Sequence, residues 1–483
     1  MRLNTEDYEH ARQLRDPRFD GRFFVAVRTT GIYCRPVCPV RIPRKENVVL
    51  YTSAAEASEA GFRPCLRCRP ESAPGTPAWC GSSATVDQAL QLIQRSPADE
   101  FSVGGLAEQL GVGPRQLSRL FRKHLGVSPQ AVVHTRRLHL AKKLIDETSL
   151  SLTDICFAAG FGSVRRFNSV MRGVYSKSPS ALRAGRGKAS EVDKMIEVSL
   201  HYRPPCDWQA MLEFLRRRAI NGVEVVTDTR YSRSIAIGRE RGWLTVRFEP
   251  ERHRVMLSVM FPDLRKLGLI IERVRSIFDL NACSEDIDKH LGSDALLSPA
   301  VGRFPGTRVP GCWDGFEIAV RAIIGQQISV TAATTLLGRL ARSLGESGPG
   351  PGPELLFPSP QHLVDAPMKG LGITRRRVEA IRELAAMTLD GELCFDGATD
   401  TAGFAQRLCT IKGIGEWTAQ YIAMRALNDP NAFPHSDLIL LRAAAQSNPL
   451  SPAELIERAV PWQPWRAYAV ILLWRQAAIA SIP

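Results

Sequence analysis

Two closely spaced pairs of cysteines near the N-terminus constrain the fold of this chain more than any other feature. Three residues separate Cys34 from Cys38, and two residues separate Cys65 from Cys68. Thiolates at such spacings, supplied by two chain segments, can enclose a tetrahedral Zn²⁺ ion with S–Zn distances of ~2.3 Å. The pattern therefore requires the two segments to meet in the folded protein.

Arginines surround both cysteine pairs. The segments GIYCRPVCPVR and GFRPCLRCRPE contain Arg35, Arg41, Arg63, Arg67 and Arg69. Because guanidinium groups bind phosphate oxygens well, we predict a phosphate-binding surface beside the thiolates. The alternative is a purely structural zinc site, which has no need for these arginines.

Length and composition indicate a folded protein of several domains. The chain has 483 residues, of which 44% are hydrophobic and 23% are charged, so we expect roughly three or four domains. It has no apolar run long enough for a membrane helix, and its N-terminus, MRLNTEDYEH, is polar, which predicts a cytoplasmic protein without a signal peptide. In a reducing compartment the paired cysteines, among eleven in total, indicate metal binding or nucleophilic chemistry.

The positive charge is concentrated in the first part of the chain. Residues 1–190 contain 29 Lys and Arg against 16 Asp and Glu, whereas the other 293 residues contain 34 against 33. Such segregation predicts that the N-terminal region contacts nucleic acid. A general surplus for solubility is the alternative.

Residues 102–126 and 151–176 have the same layout, an apolar helix, a turn with Gly111 or Gly160, and a second helix rich in arginine. This layout predicts two helix-turn-helix units. Arg, Gln and Asn side chains on the second helices can contact base edges in the major groove. The predicted DNA-binding residues there are Arg115, Gln116, Arg119, Arg165 and Arg166. The alternative is a helical bundle with a solvated basic face.

The second half of the chain changes from strand to helix patterns. Residues 191–290 contain segments that each predict a strand, namely MIEVSLHY, VEVVTDTRYSRSIAIG (223–238), GWLTVRFEP and RVMLSVMF. They predict an antiparallel sheet with one or two helices. From Trp313 onward the apolar residues follow helical spacing, which predicts an all-α region.

A glycine-containing hairpin in this region carries a further signal. The segment LCTIKGIGEWTAQYIAMRAL predicts two helices joined by the turn Lys412–Gly415, whose backbone N–H groups can hold a phosphate (Gly413 and Gly415 give the turn its freedom). Some twenty residues later, Asp437 stands at the start of a predicted helix. An ordinary helix N-cap is the alternative for that aspartate.

These segments and their neighbours resemble the AlkA-like 3-methyladenine DNA glycosylase II family of the helix-hairpin-helix superfamily. The resemblance covers about residues 194–483 and includes DWQAMLEFLRRRA, RVPGCWDGFEIAVRAIIGQQIS and WQPWRAYAVILLW. It implies that Asp437 is the catalytic carboxylate. Trp417 occupies the place of the Schiff-base lysine of bifunctional relatives, which implies a monofunctional glycosylase, and no cysteine follows Cys409 to form an iron–sulfur loop. The glycosylase reaction is therefore expected to need no cofactor.

The same resemblance implies an aromatic pocket for a flipped-out alkylated purine. The implied pocket residues are Trp417, Tyr421, Trp474 and Phe214. Two positions depart from the family pattern. Gln327 stands where an apolar residue usually enters the duplex, and Leu438 replaces an expected aromatic residue after the aspartate.

Residues 1–183 resemble the N-terminal half of the Ada methylation-response proteins, and their helical part resembles the AraC family of activators. The resemblance is carried by GIYCRP and GFRPCLRC. It implies one zinc ion on Cys34, Cys38, Cys65 and Cys68, with Cys34 accepting a methyl group from a DNA methylphosphotriester and with Arg35 and Arg67 near the DNA. The Pro-Cys-His-Arg motif of the Ada C-terminal methyltransferase is absent.

Together these inferences predict a multidomain α+β protein in which an alkylation sensor and activator is fused to a base-excision glycosylase. Its partners would be double-stranded DNA and RNA polymerase, and it would be associated with the bacterial nucleoid. The competing hypothesis is a transcription regulator with a catalytically inactive DNA-binding C-terminal half. The predicted domains are a zinc-bound α/β domain (1–75), an all-α double helix-turn-helix (84–183), an antiparallel sheet with helices (191–300) and an all-α helix-hairpin-helix domain (301–483).

Overall fold

The computed structural model describes residues 5–74, 84–95, 102–184, 195–395, 401–445 and 449–480. Residues 76–83 and 185–190, which connect the first three predicted domains, lie outside these residues. The chain forms two compact units, Met1–Arg203 with Phe248–Glu272, and Pro204–Arg247 with Arg273–Pro483. Within the described residues, no helix is both long and apolar enough to cross a membrane. The mixed α+β fold class is confirmed, while the domain bounds stay predictions.

Residues 5–74 form a four-stranded sheet with two α-helices. The elements are α1 (Thr5–Leu14), β1 (Phe24–Val27), β2 (Ile32–Cys34), β3 (Val48–Tyr51), α2 (Ala54–Glu59) and β4 (Arg63–Pro64). The strand order is β3-β1-β2-β4. Side chains alternate across β1, so that Val25 packs with Ala11 of α1 on one face while Phe24 and Ala26 pack with Ala57 of α2 on the other.

Seven α-helices follow within the described residues 84–95 and 102–184. They are α3 (Ala84–Arg95), α4 (Val103–Gln109), α5 (Pro114–Leu125), α6 (Pro129–Glu147), α7 (Leu152–Ala158), α8 (Val164–Tyr175) and α9 (Pro179–Arg183). The α4–α5 and α7–α8 pairs are built alike. Ser102 and Ser151 cap their first helices, and Gly111 and Gly160 turn the chain in the left-handed region, with φ of 64° and 79°. The predicted double helix-turn-helix is therefore confirmed, in agreement with its period of about 49 residues.

The long helix α6 binds both earlier and later parts of the first unit. His139 Nε2 lies 2.9 Å from the Tyr33 hydroxyl, one residue before Cys34. Glu147 at its C-terminus accepts hydrogen bonds from Arg69, one residue after Cys68, and from the backbone N–H of Ser199. These contacts hold the cysteine-bearing loops against the helical region.

The middle of the chain forms antiparallel ladders with helices. The elements are β5 (Ile196–His201), α10 (Trp208–Arg218), β6 (Glu224–Val226), β7 (Arg230–Ile237), β8 (Glu240–Glu249), β9 (Arg254–Met260), α11 (Leu267–Ile277), α12 (Ser284–Gly292) and α13 (Ser298–Arg303). In the first unit β5 pairs with β9, and in the second unit β7 pairs with both β6 and β8. The expected single strand over residues 223–238 is wrong, because the polar Thr227-Asp228-Thr229 segment turns the chain and divides it into β6 and β7.

The predicted all-α C-terminal region is confirmed. Its helices are α14 (Gly315–Gly325), α15 (Val330–Leu344), α16 (Pro360–Leu363), α17 (Arg375–Leu389), α18 (Thr401–Thr410), α19 (Glu416–Ala426), α20 (Leu438–Ala443), α21 (Pro452–Arg458) and α22 (Arg466–Ala480). The apolar helix α14 packs against α15, α17 and α19, and α20 packs against α22. This packing brings the starts of α19 and α20 close to α22, where the candidate site lies.

Candidate functional site

The Asp437 carboxylate lies at the centre of four hydrogen-bond donors. It caps α20, with Oδ1 accepting from the backbone N–H of Ile439 (3.0 Å) and Leu440 (3.1 Å). Trp474 Nε1 also donates to Oδ1 (3.1 Å), and Trp417 Nε1 donates to Oδ2 (2.8 Å). An N-cap needs only the two backbone bonds, so the two indole donors fix the orientation of this carboxylate beyond what capping requires. The side chain remains partly accessible to solvent.

Aromatic rings from α19 and α22 surround the carboxylate. Trp417 and Tyr421 are one helical turn apart on α19, which places them on one face. Their rings stack with centroids 5.4 Å apart and planes 4° apart. The Trp474 ring lies 6.4 Å from that of Tyr421 at an angle of 44°. The three residues thus form an aromatic wall beside Asp437.

Phe214 of α10 reaches the same wall through Arg425. The Arg425 guanidinium lies 4.9 Å from the Phe214 ring centroid and 5.6 Å from that of Tyr421, and it donates to the Tyr421 hydroxyl (2.8 Å). Burial alone would raise the pKa of the Tyr421 phenol, but Arg425 and Arg218 outweigh that effect and lower it. The structure therefore brings all four predicted pocket residues into one chain of contacts with Asp437.

The helical hairpin lies beside this pocket. Its turn joins α18 to α19, and Gly413 has φ of +107°, where a side chain is strained. Gly415 is the N-cap of α19 and provides no side-chain cap, so the first N–H groups of the helix remain available to an anion. Lys412 is exposed, and Arg376 lies next to Gly413. The hairpin can therefore hold a phosphate.

The family resemblance implies release of alkylated bases from DNA, and replacing Gly413 with valine should lower kcat/KM for that reaction about tenfold, because the β-branched side chain distorts a hairpin that can hold a phosphate. Steady-state assays on an alkylated duplex measure this change. Gly391→Val is the matched control, since Gly391 also has positive φ (75°) but ends α17 away from the hairpin. Equal losses in both variants would show that general strain, and not the hairpin, is responsible.

The loop between α14 and α15 is attached to the hairpin. Gln326 Nε2 donates to the Gly413 carbonyl (2.9 Å) and to Thr418 Oγ1 (3.0 Å), and its own carbonyl accepts from Arg377. The next residue, Gln327, is exposed in the left-handed region with φ of 54°. Leu438 is also exposed, with 67% of its surface accessible. Both departures from the family pattern therefore lie on the accessible surface.

Sequence reasoning did not identify the residues that support these groups. Gln326, Arg425 and Arg218 each belong to segments that carry the family resemblance, but nothing in their spacing indicates a contact with the hairpin or the pocket. The burial of Arg425, which is only 3% exposed, indicates its supporting role, but burial is known only from the tertiary structure.

The four N-terminal cysteines meet in one buried cluster. Strands β2 and β4 run parallel with Tyr33 opposite Pro64, which places Cys34 and Cys65 side by side where the strands end. The four Sγ atoms all lie within 4.8 Å of one another. Sulfurs around one tetrahedral zinc lie about 3.8 Å apart, so this all-thiolate set fits Zn²⁺. The predicted single zinc site is confirmed in its ligands.

The arginines near the cluster have different environments. Arg35 is nearly buried. It pairs with Asp20, donates to the Cys68 carbonyl (3.1 Å), and its backbone N–H donates to Cys68 Sγ (3.3 Å). Arg67 is exposed. The structure thus places Arg35 as a support of the cluster and leaves Arg67 open to a ligand.

The second helices of both helix-turn-helix units present their polar residues to solvent. Arg115, Gln116, Arg119, Arg165 and Arg166 are all exposed, while Leu117 and Phe167 are buried. Among the described residues, none of these four arginines forms an ion pair. Burial lowers the pKa of the His134 imidazole, and the nearby charges of Arg166 and Arg137 lower it further. The contacts of the second helices with DNA stay predictions.

Comparison with known proteins places these features in families. The metal binding domain of Ada matches residues 7–71, a helix-turn-helix domain matches residues 106–185, and the AlkA N-terminal domain matches residues 197–314. A probable bifunctional transcriptional activator/DNA repair enzyme AlkA of Mycobacterium tuberculosis (strain CDC 1551 / Oshkosh) is 38% identical over 479 residues, which are 97% of this chain and 96% of the relative. The chain belongs to this AlkA family. The cysteine cluster lies within the residues that match the metal binding domain of Ada. The full-length relative extends the match to the C-terminal helices that carry the candidate site.

Two further relatives of this AlkA-family chain cover its C-terminal part. DNA-3-methyladenine glycosylase 2 of Escherichia coli (strain K12) is 35% identical over 283 residues, which are 57% of this chain and 96% of the relative. The solved 3-methyladenine DNA-glycosylase from Archaeoglobus fulgidus matches with a TM-score of 0.53 at 21% identity, covering 59% of this chain and 99% of that one. The latter likeness concerns the fold alone.

Proposed function

We propose that this chain excises alkylated purines of the 3-methyladenine and 7-methylguanine type from DNA, leaving abasic sites, and that its N-terminal half senses methylphosphotriesters and activates transcription. The observation that carries the enzymatic part is the Asp437 carboxylate, held by Trp417, Trp474 and two backbone N–H groups beside an aromatic wall. DNA is its partner.

The glycosylase reaction requires the damaged base to leave the duplex. The hairpin at Gly413 holds a phosphate of the DNA, and Gln327 enters the space that the base vacates. The base then stacks against Trp417, Tyr421 and Trp474, whose electron-rich faces attract positive charge. Gln326 fixes the α14–α15 loop, which carries Gln327, against the hairpin, because its side-chain amide donates to the Gly413 carbonyl.

Bond cleavage depends on charge that develops at C1′. As the C1′–N bond breaks, the electron pair leaves with the base, and the sugar acquires oxocarbenium character that the Asp437 carboxylate stabilises. A water molecule oriented by the same carboxylate adds its oxygen to C1′ and gives up a proton to the Asp437 carboxylate. Because residue 417 is tryptophan, no amine at that position can form a Schiff base, and the product is an abasic site.

Cys34 is the proposed methyl acceptor at the N-terminal site. Its sulfur attacks the methyl carbon of a methylphosphotriester, an S–C bond forms, the C–O bond breaks, and an ordinary phosphodiester leaves. When bound, zinc keeps the cysteine sulfurs ionised while leaving them nucleophilic. Exposed Arg67 supports the approach of the phosphate backbone, and Arg35 positions the Cys68 loop.

The helix-turn-helix pair supplies the activator function. Methylation removes one negative charge from the cluster, which favours binding to the DNA phosphates through the exposed arginines of α5 and α8. RNA polymerase is the proposed partner at the promoter, and the nucleoid is the proposed location, since both activities need DNA. The domain bounds given by the sequence are retained as part of this proposal.

One preparation of the full chain tests both halves. We expect about one zinc per chain, release of methylated purines from an alkylated duplex, and a mass gain of one methyl group on the peptide covering residues 30–40 after exposure to methylphosphotriester DNA. An unmodified Cys34 would exclude the sensor. Failure to release any methylated base would favour the competing hypothesis of an inactive, DNA-binding C-terminal half.

A further inference from the structure

Arg203 is a fully buried arginine in the first unit. Its Nε donates to the carbonyl of Asp20 (2.8 Å), and its Nη2 donates to the carbonyl of Pro74 (3.4 Å). The chain segments pack tightly here, since a Cβ on Gly21 would lie 2.1 Å from the Pro74 carbonyl oxygen. Because a buried guanidinium is costly unless its N–H groups have acceptors, these carbonyls fix Arg203 against the segment that precedes β1.

Asp20 connects Arg203 to the cysteine cluster. The Asp20 carboxylate is buried and pairs with the Arg35 guanidinium, accepting from Nε at 2.8 Å. Arg35 in turn donates from Nη1 to the Cys68 carbonyl (3.1 Å) and from its backbone N–H to Cys68 Sγ (3.3 Å). A continuous series of contacts therefore runs from Arg203 through the backbone and side chain of Asp20 to a sulfur of the cluster.

Strand β5 makes a second, separate connection to the same region. Glu147 of α6 accepts hydrogen bonds from the backbone N–H (2.8 Å) and the hydroxyl (2.9 Å) of Ser199. The Glu147 carboxylate also accepts from Arg69 Nη2 (3.0 Å), and Arg69 follows Cys68 directly in the chain. The loop at Cys68 is thus linked at two points to the segment that contains β5 and Arg203.

Ser199 and Arg203 lie in the region that matches the AlkA N-terminal domain, residues 197–314, whereas the cluster lies in the region that matches the metal binding domain of Ada, residues 7–71. We propose that Arg203 is a positioning residue for methyl transfer to Cys34, so that the glycosylase-type part of the chain completes the support of the methyl-acceptor site. Its role there rests on the proposed sensor function.

Methyl transfer depends on alignment. The S–C bond forms as the C–O bond of the methylphosphotriester breaks, and the phosphodiester leaves with the electron pair of that bond. Because the Cys34 sulfur must face the methyl carbon in line with the C–O bond, small displacements lower the rate. The four Sγ atoms lie within 4.8 Å of one another, so a loosened Cys68 loop changes the surroundings of Cys34.

Replacing Arg203 with methionine in the full chain tests this role. Single-turnover methylation of Cys34, measured by mass spectrometry on the peptide covering residues 30–40, should become about tenfold slower, and transfer of zinc to a chelating dye about tenfold faster. Such changes correspond to the loss of a hydrogen-bonding partner behind a metal ligand. Arg203→Lys, whose ammonium can donate to a carbonyl, should recover both rates to within about threefold of wild type.

Arg308→Met is the matched control. Arg308 is also buried, with 4% exposure, and donates to backbone carbonyls such as that of Pro205, but it belongs to the second unit. Its replacement should leave both rates unchanged. Arg203→Gln carries the same expectation as Arg203→Met and serves if methionine prevents folding, which thermal melting detects.

A double variant shows whether Arg203 acts through Asp20. Asp20→Asn keeps the backbone carbonyl but removes the charge that holds Arg35, so it should itself slow methylation. Adding Arg203→Met to it should lower the rate by less than about twofold, because residues in one series of contacts have non-additive effects. Multiplied effects in the double variant, or wild-type rates of methylation and zinc transfer in Arg203→Met and Arg203→Gln, overturn the inference. A wild type that leaves Cys34 unmodified contradicts the proposed sensor function itself, and the role of Arg203 with it.

Discussion

Replacing Asp437 with asparagine should lower the single-turnover rate of methylated-purine release by at least about a thousandfold. The neutral amide cannot stabilise positive charge at C1′ or take a proton from the attacking water, and each such contribution is worth about 10²–10⁴ in rate. Asparagine is also a good N-cap, so α20 should remain folded. Release of bases from alkylated duplex, followed by chromatography, measures the effect.

The structure offers a matched control for this substitution. Glu457→Gln makes the same carboxylate-to-amide change at an exposed position on α21 and should retain the wild-type rate. Thermal melting of both variants should differ little from that of wild type. If Asp437→Asn excises bases as fast as wild type does, Asp437 is only a helix cap and the catalytic proposal fails.

Replacing Cys68 with alanine should abolish zinc binding and unfold the first 74 residues. A small domain with a sheet of four short strands has few other sources of stability, and structural zinc sites contribute about 10–16 kcal/mol in zinc-finger peptides. Cys68 also accepts the Arg35 N–H, and its carbonyl accepts from the Arg35 side chain. Loss of the sulfur therefore removes both a metal ligand and a contact of the loop.

Zinc content by metal analysis and the loss of folded structure by circular dichroism test this expectation. Cys409→Ala, which changes an exposed cysteine outside the cluster, should keep one zinc per chain and an unchanged spectrum. A Cys68→Ala protein that still holds zinc with wild-type stability would mean that three cysteines suffice or that another residue takes its place.

Local patterns predicted most of the elements. Alternation identified β5, β8 and β9, and helical spacing identified the C-terminal helices, because each pattern reports which face of an element is buried. The sequence of residues 223–238 predicts one strand, since its apolar residues alternate on both sides of Thr227–Thr229. The turn there depends on β6 pairing back onto β7, with Val226 opposite Tyr231, and a pattern along one strand contains no information about its partner.

The candidate site shows the same division. The positions of Asp437, Trp417 and Trp474 were available from motifs, but the hydrogen bonds from both indoles to one carboxylate were not. These bonds join α19, α20 and α22, which are separated along the chain and meet only through packing. The contact of Arg425 with the Phe214 ring is a stronger case, because these residues belong to helices about 200 residues apart.

By itself, the sequence determined the chemistry that this chain contains, namely four paired thiols, two helix-turn-helix units, a glycine hairpin and an aspartate at a helix start. Tertiary structure alone decided how these groups are used. The parallel pairing of β2 with β4 brings the cysteine pairs to one point, and Asp20 holds the Arg35 side chain beside the Cys68 carbonyl. Packing of α10 against the C-terminal helices brings Phe214 to Arg425. The physical reason is that residue types and short spacings specify reactivity and local conformation, whereas burial and charge pairing between distant segments depend on the whole fold.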